Sequence, residues 1–126
     1  TSWTGVARTI RSQVFTIKTE EYISAAKSLG YSNIKILINH ILPNCFGLIM
    51  ISFTLSISGA IMAEASLSFL GLGVQPPVPS WGIMISEGKD FFRVAPRLSL
   101  LPGLTTILAV LSINLLGEAL RDRLEP

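Results

Sequence analysis

The stretch CFGLIMISFTLSISGAIMA, residues 45–63, carries no charged side chain, and its apolar character continues to about Ser66. At about 1.5 Å of rise per residue it covers roughly the 30 Å of hydrocarbon in a bilayer. It therefore predicts a membrane-spanning helix over residues 44–66. A second charge-free stretch, LSLLPGLTTILAVLSINLL at residues 98–116, predicts another span over residues 98–117. Pro102 stands in the first turns of that span, where a missing backbone donor costs least. The expected fold class is all-α, a multi-span transmembrane helical protein with two full spans.

The whole composition agrees. Of 126 residues, 49% are hydrophobic and 14% charged, and the mean hydropathy of +0.56 exceeds what a water-exposed surface ordinarily permits. The net charge of +2 is spread over loops and forms no dense basic stripe, which argues against a nucleic-acid partner. The single cysteine, Cys45, cannot form an internal disulfide and has no Cys/His cluster around it, so it reads as a buried inert thiol, and no metal site or cofactor is expected. Arg8, Arg11, Lys18, Glu20 and Glu21 interrupt any secretory signal core in the first thirty residues. The chain opens at Thr1 and not at a methionine, and residues 1–18 read as the end of a preceding helix, so a piece of a longer protein is expected.

Basic residues near the span ends set the expected orientation. Arg8, Arg11, Lys18, Lys27 and Lys35 precede the first span, Arg121 and Arg123 follow the second, and Lys89, Arg93 and Arg97 lie between. This bias puts both ends in the cytoplasm, with residues 67–97 as an external loop and 118–126 as a cytoplasmic tail.

Residues 19–43 read as two short cytoplasmic helices. Thr19 can cap the first, Glu20 and Glu21 suit its positive dipole end, and Gly30 suits a left-handed stop. Tyr22, Ala25, Ala26 and Leu29 share a face at helical spacing. The second helix starts near Ser32, carries Ile34, Leu37, Ile38 and Ile41 on a stripe opposite Lys35 and Asn39, and is expected to stop at Pro43. It is expected to lie against the membrane bundle or to continue into it. In the outer loop Gly71, Gly73, Pro76, Pro77 and Pro79 forbid regular structure. Ser80 can then cap a short helix with Trp81, Met84 and Ile85, which with Phe91 and Phe92 nearby suits the outer headgroup level.

Several polar residues lie in the apolar stretches. Ser52, Ser56, Gly59 and Ala63 recur at spacings of three to four, with Thr54 and Ser58 off that line, a pattern that suits either close helix packing or a polar pathway lining. Glu64 is the one carboxylate in an apolar run and reads either as an interfacial, hydrated or hydrogen-bonded group or as a substrate contact. Asn114 reads as interhelical glue or a ligand, and His40 has no partner carboxylate or serine that would support catalysis.

The string EYISAAKSLG at residues 21–30, followed after a helical spacer by HILPN at 40–44, resembles the EAA loop of binding-protein-dependent ABC importer permeases. AEASLSFLGLG at 63–73, QPP at 75–77, PSWG at 79–82, NLLG at 114–117 and LRD at 120–122 extend the resemblance to the second permease subunit of the dipeptide, oligopeptide and nickel transport group. Ser24 and His40 stand where the general pattern has a glutamate and an isoleucine. The resemblance implies the C-terminal part of a type I ABC importer permease, with residues 19–43 as the ATPase-coupling loop. Glu21, Tyr22, Ala25, Ala26, Leu29 and Gly30 would then contact the ATPase, and the first span would border the translocation route, making Ser52, Ser56 and Gly59 pathway candidates. It also implies ABC ATPase subunits, a second permease subunit and an external substrate-binding protein as partners in the bacterial cytoplasmic (inner) membrane, with substrates among peptides and nickel.

The physics suits such a loop. A short helix that docks as a rigid body can pass force between subunits, alanines permit close approach, and a glycine allows the sharp return to the membrane. Without the resemblance, the same helix reads equally as an amphipathic element lying on lipid, in a small stand-alone structural or regulatory membrane protein. An intramembrane hydrolase is disfavoured because Glu64 has no second carboxylate at membrane depth, and ATP chemistry in the chain itself is disfavoured because it lacks a GxxxxGK[ST] loop.

Overall fold

The computed structural model describes residues 2–124. The outermost residues of the two predicted terminal segments, Thr1, Glu125 and Pro126, lie outside them. The elements are α1 (Ser2–Lys18), α2 (Glu21–Ser28), α3 (Asn33–Phe69), α4 (Trp81–Lys89) and α5 (Arg97–Leu124), with no strand among the described residues. The fold is all-α, as composition and periodicity predict. Helices α3 and α5 are long and apolar enough to cross a membrane, and little of their apolar length is buried within this chain. Apolar surface of that extent suits lipid or further helices better than water.

The chain divides into two compact units, one holding the residues up to Thr54 with those from Leu116 onward, the other Leu55–Leu115. In the first unit Thr19 does not cap α2. Its hydroxyl donates to the Thr16 carbonyl at 2.7 Å, closing α1, and Glu20 takes the N-cap in extended conformation without a side-chain bond. A nearer acceptor in the previous helix wins over the cap that spacing alone suggests. The stop at Gly30 forms as expected. Gly30 has φ +80°, its N–H reaches the Lys27 carbonyl at 3.0 Å, and the Tyr31 N–H reaches that of Ala26 at 3.2 Å, which is a Schellman motif.

Ser32 caps α3 by accepting from the Lys35 N–H at 3.4 Å. Pro43 does not end this helix, contrary to the expected stop. The five residues Leu37–Ile41 form a π turn in which the Leu42 N–H bonds the Leu37 carbonyl, and the helix runs on through Pro43 to Phe69. A proline ring collides with the carbonyl four residues back in a regular α-helix, and a widened turn immediately before it relieves that clash. The Asn44 side chain donates to the His40 carbonyl at 2.6 Å, covering an acceptor in the disturbed turn.

The second unit begins within α3. A second Schellman stop ends the helix, with Gly71 at φ +77°, its N–H on the Ser68 carbonyl at 3.0 Å and the Leu72 N–H on that of Leu67 at 2.8 Å. Ser80 caps α4 as predicted, accepting from the Ile83 N–H at 3.2 Å. Gly82 and Gly88 are buried, and a Cβ at either would strike backbone, that of Ala65 in α3 and that of Leu98 and Ser99 in α5 respectively. Glycine at these two positions lets α4 lie directly on its neighbours. Helix α5 begins at Arg97, one residue before the charge-free stretch, so Pro102 falls in its second turn and the Thr106 hydroxyl bonds the Pro102 carbonyl at 2.8 Å.

Candidate coupling site

Helix α2 is seated by two residues. Ile23, fully buried, and Ala26 pack into a small core with Ile17 of α1 and Ile36, Ile41 and Cys45 of α3, with Val14 and Ile49 at its edge. Spacing of three places both on one side of the helix. Tyr22, Ala25 and Leu29, at spacings of three and four, remain exposed on an adjoining face, and Leu29 is 77% exposed. Glu21 and Gly30 are exposed at the two ends of the helix. Of the six residues predicted for ATPase contact, five are thus presented outward, while Ala26 belongs to the inward seat. Ile23, which the sequence reading left out, anchors the helix. Its signal was the Ile23/Ala26 pair at helical spacing, overshadowed by the longer Tyr22, Ala25, Leu29 series.

Polar and aromatic contacts join α2 to the base of α3. The Asn44 amide donates to the Tyr22 hydroxyl at 3.3 Å as well as to the His40 carbonyl. The His40 ring lies 6.1 Å from that of Tyr22 and 6.5 Å from that of Tyr31, both tilted. The Lys35 ammonium stands 4.5 Å over the Tyr31 ring. His40 is therefore a packing residue among tyrosines. Cys45 is a free, buried thiol in the same unit.

The pathway candidates lie elsewhere on α3. Ser52 is half-buried, Ser56 exposed, and Gly59 open, with nothing within 4 Å of a Cβ built on it. Thr54 and Ser58, off that line, both meet α5: Thr54 lies where a Cβ on Gly117 would strike it, and the buried Ser58 donates to Asn114 Oδ1 at 2.8 Å. Asn114 thus serves as interhelical glue. Glu64 accepts from the Ser68 hydroxyl at 2.6 Å, and Ser68 in turn accepts from the Val74 N–H at 3.3 Å, so the carboxylate helps tie down the loop after α3. It also borders a cleft of about 390 Å³ with Pro79, Ser80, Trp81 and Met84.

The sequence profile of the family described as "Binding-protein-dependent transport system inner membrane component" matches residues 1–126. Among curated relatives, the glutathione transport system permease protein GsiD of Escherichia coli O1:K1 / APEC is 44% identical over 120 residues, covering 95% of this chain and 40% of that protein. Proteins of the same name from Shigella flexneri serotype 5b (strain 8401) and Escherichia coli O6:K15:H31 (strain 536 / UPEC) align to the same extent. The chain spans 40% of the length of these relatives. An all-helical chain with two apolar helices of spanning length, matched from end to end by that profile, belongs to the family of binding-protein-dependent transport inner membrane components.

Proposed function

We propose that this chain forms part of an ABC importer permease and that α2 is the helix through which partner ATPases drive it. The observation that carries the reading is the division of α2 into an inward seat of Ile23 and Ala26 and an outward face of Tyr22, Ala25 and Leu29, in a chain of this family. A helix held on one side and apolar on another is suited to docking in a partner's cleft. In this reading residues 1–18 end one membrane helix, 19–43 form the cytoplasmic coupling loop, 44–66 and 98–117 span the inner membrane, 67–97 lie outside with α4 at the headgroup level, and 118–126 return to the cytoplasm. ATP binding closes two ATPase subunits, their motion enters through α2, and the permease pair opens toward an external binding protein. The substrate class is peptides, favoured over nickel because the similar relatives are named for glutathione, itself a small peptide.

The test uses the complete permease co-expressed with its ATPases and binding protein. Replacement of the exposed Ala25 by Trp is expected to abolish uptake while the permease remains in the membrane. Unchanged uptake would remove α2 from the coupling role.

A further inference from the structure

A moving α2 has to pull on the apolar part of α3, and the side chains at the base of α3 form a clamp suited to that. One amide, Asn44 Nδ2, donates both to the Tyr22 hydroxyl of α2 and to the carbonyl of His40 within the π turn. The His40 ring packs at 6.1 Å against Tyr22, in the first turn of α2, and at 6.5 Å against Tyr31, just past its glycine stop. Both ends of α2 are thereby fastened to a single residue of the π turn, in tilted ring geometries that aromatic pairs favour. The backbone ladder beside this clamp is interrupted. The turn closes by the longer Leu42 to Leu37 bond, and Pro43 supplies no N–H at all. Helices bend most readily where the regular bonding is broken in this way.

We propose that Asn44 and His40 are positioning residues that lock α2 to the π turn, so that the two move as one body and the bending of α3 falls at Pro43. The inference rests on the coupling role of α2 proposed above. Asn44 contributes through its two donated hydrogen bonds, and His40 through its ring and its carbonyl.

The experiment reconstitutes the whole transporter, with full-length permease, ATPases and binding protein, in proteoliposomes and measures substrate imported per ATP hydrolysed. Asn44→Ala removes both donated bonds and is expected to lower this ratio at least fivefold, a factor of about five being the weight of a single lost hydrogen bond, while the amount of ATPase that purifies with the permease stays the same. Tyr22→Phe keeps the ring against His40 and loses only the hydroxyl, so it lowers the ratio by no more than that factor. The double variant Tyr22→Phe/Asn44→Ala matches Asn44→Ala alone, because both remove the same bond. A native ratio in Asn44→Ala, or a double variant worse than either single one by the product of their effects, overturns the clamp. Should Asn44→Ala fail to reach the membrane, His40→Ala, which removes both ring contacts, is expected to lower the ratio, and a native ratio there overturns the clamp equally. Sensitivity to Ala25→Trp together with an unchanged Asn44→Ala ratio refutes the clamp alone, whereas tolerance of Ala25→Trp refutes the coupling reading beneath it.

Discussion

The Ser58 hydroxyl donates to Asn114 Oδ1 at 2.8 Å, joining two helices of spanning length through a buried serine and a half-buried asparagine. Hydrocarbon offers no competing water, yet such bonds between membrane helices contribute only about 0.6 kcal/mol on average and about 1.7 at most. Ser58→Ala and Asn114→Ala are each expected to cost about that much. Their double variant should cost less than the sum, because one interaction is removed twice. Reversible unfolding of the permease in bicelles measures all three.

Two close-packed glycines are expected to resist a side chain. A Cβ on Gly82 meets the backbone of Ala65, and one on Gly117 meets the β-branched side chain of Thr54 down to its Cβ. Neither neighbour can step aside without moving a helix, so Gly82→Ala and Gly117→Ala should each cost about 1–3 kcal/mol. A lowered melting temperature of both variants in detergent checks this.

Gly30 adopts φ +80° at the end of α2, with open space around it. The penalty for a side chain there is conformational and not steric crowding. Gly30→Ala is therefore expected to destabilise the stop by about 1–2 kcal/mol, and Gly30→Asn by less, since Asn tolerates the left-handed region. Faster hydrogen exchange at the Tyr31 amide, which bonds across this stop, reports the loss.

Much of this architecture is legible in the sequence because its signals are local. Charge-free stretches mark α3 and α5, serines at 32 and 80 precede the helices they cap, and a glycine in a helix-ending context marks each Schellman stop. The failures arise where a local signal meets a competitor. Thr19 has the side chain of a cap but finds the Thr16 carbonyl first. Pro43 has the character of a helix stop, but the π turn before it makes room for the ring, and nothing in residues 37–41 announces such a turn. On α2 the spacing reveals faces without saying which is buried, so it does not separate Ala26 from its exposed neighbours or mark Ile23 as the anchor. The same ambiguity affects α3, where Thr54 and Ser58, off the line of Ser52, Ser56 and Gly59, meet the other spanning helix, and spacing alone does not tell a packing line from a pathway lining.

A pathway role for the open side of α3 has its own expected outcome. Gly59 has room for a side chain within this chain, so Gly59→Trp is expected to leave the permease folded in the membrane and to reduce substrate uptake in the assembled transporter. Comparing the amount of folded permease with the initial uptake rate separates the two effects.

The most direct measurement places a photocrosslinking amino acid at Leu29, 77% exposed at the end of α2, in full-length permease expressed with its ATPase and binding-protein partners. Illumination is expected to yield a covalent adduct with the ATPase subunit, and the same label at the buried Ile23 is expected to yield none. An adduct from Leu29 with lipid alone, or with the external binding protein, would contradict a helix that receives its work from a cytoplasmic ATPase.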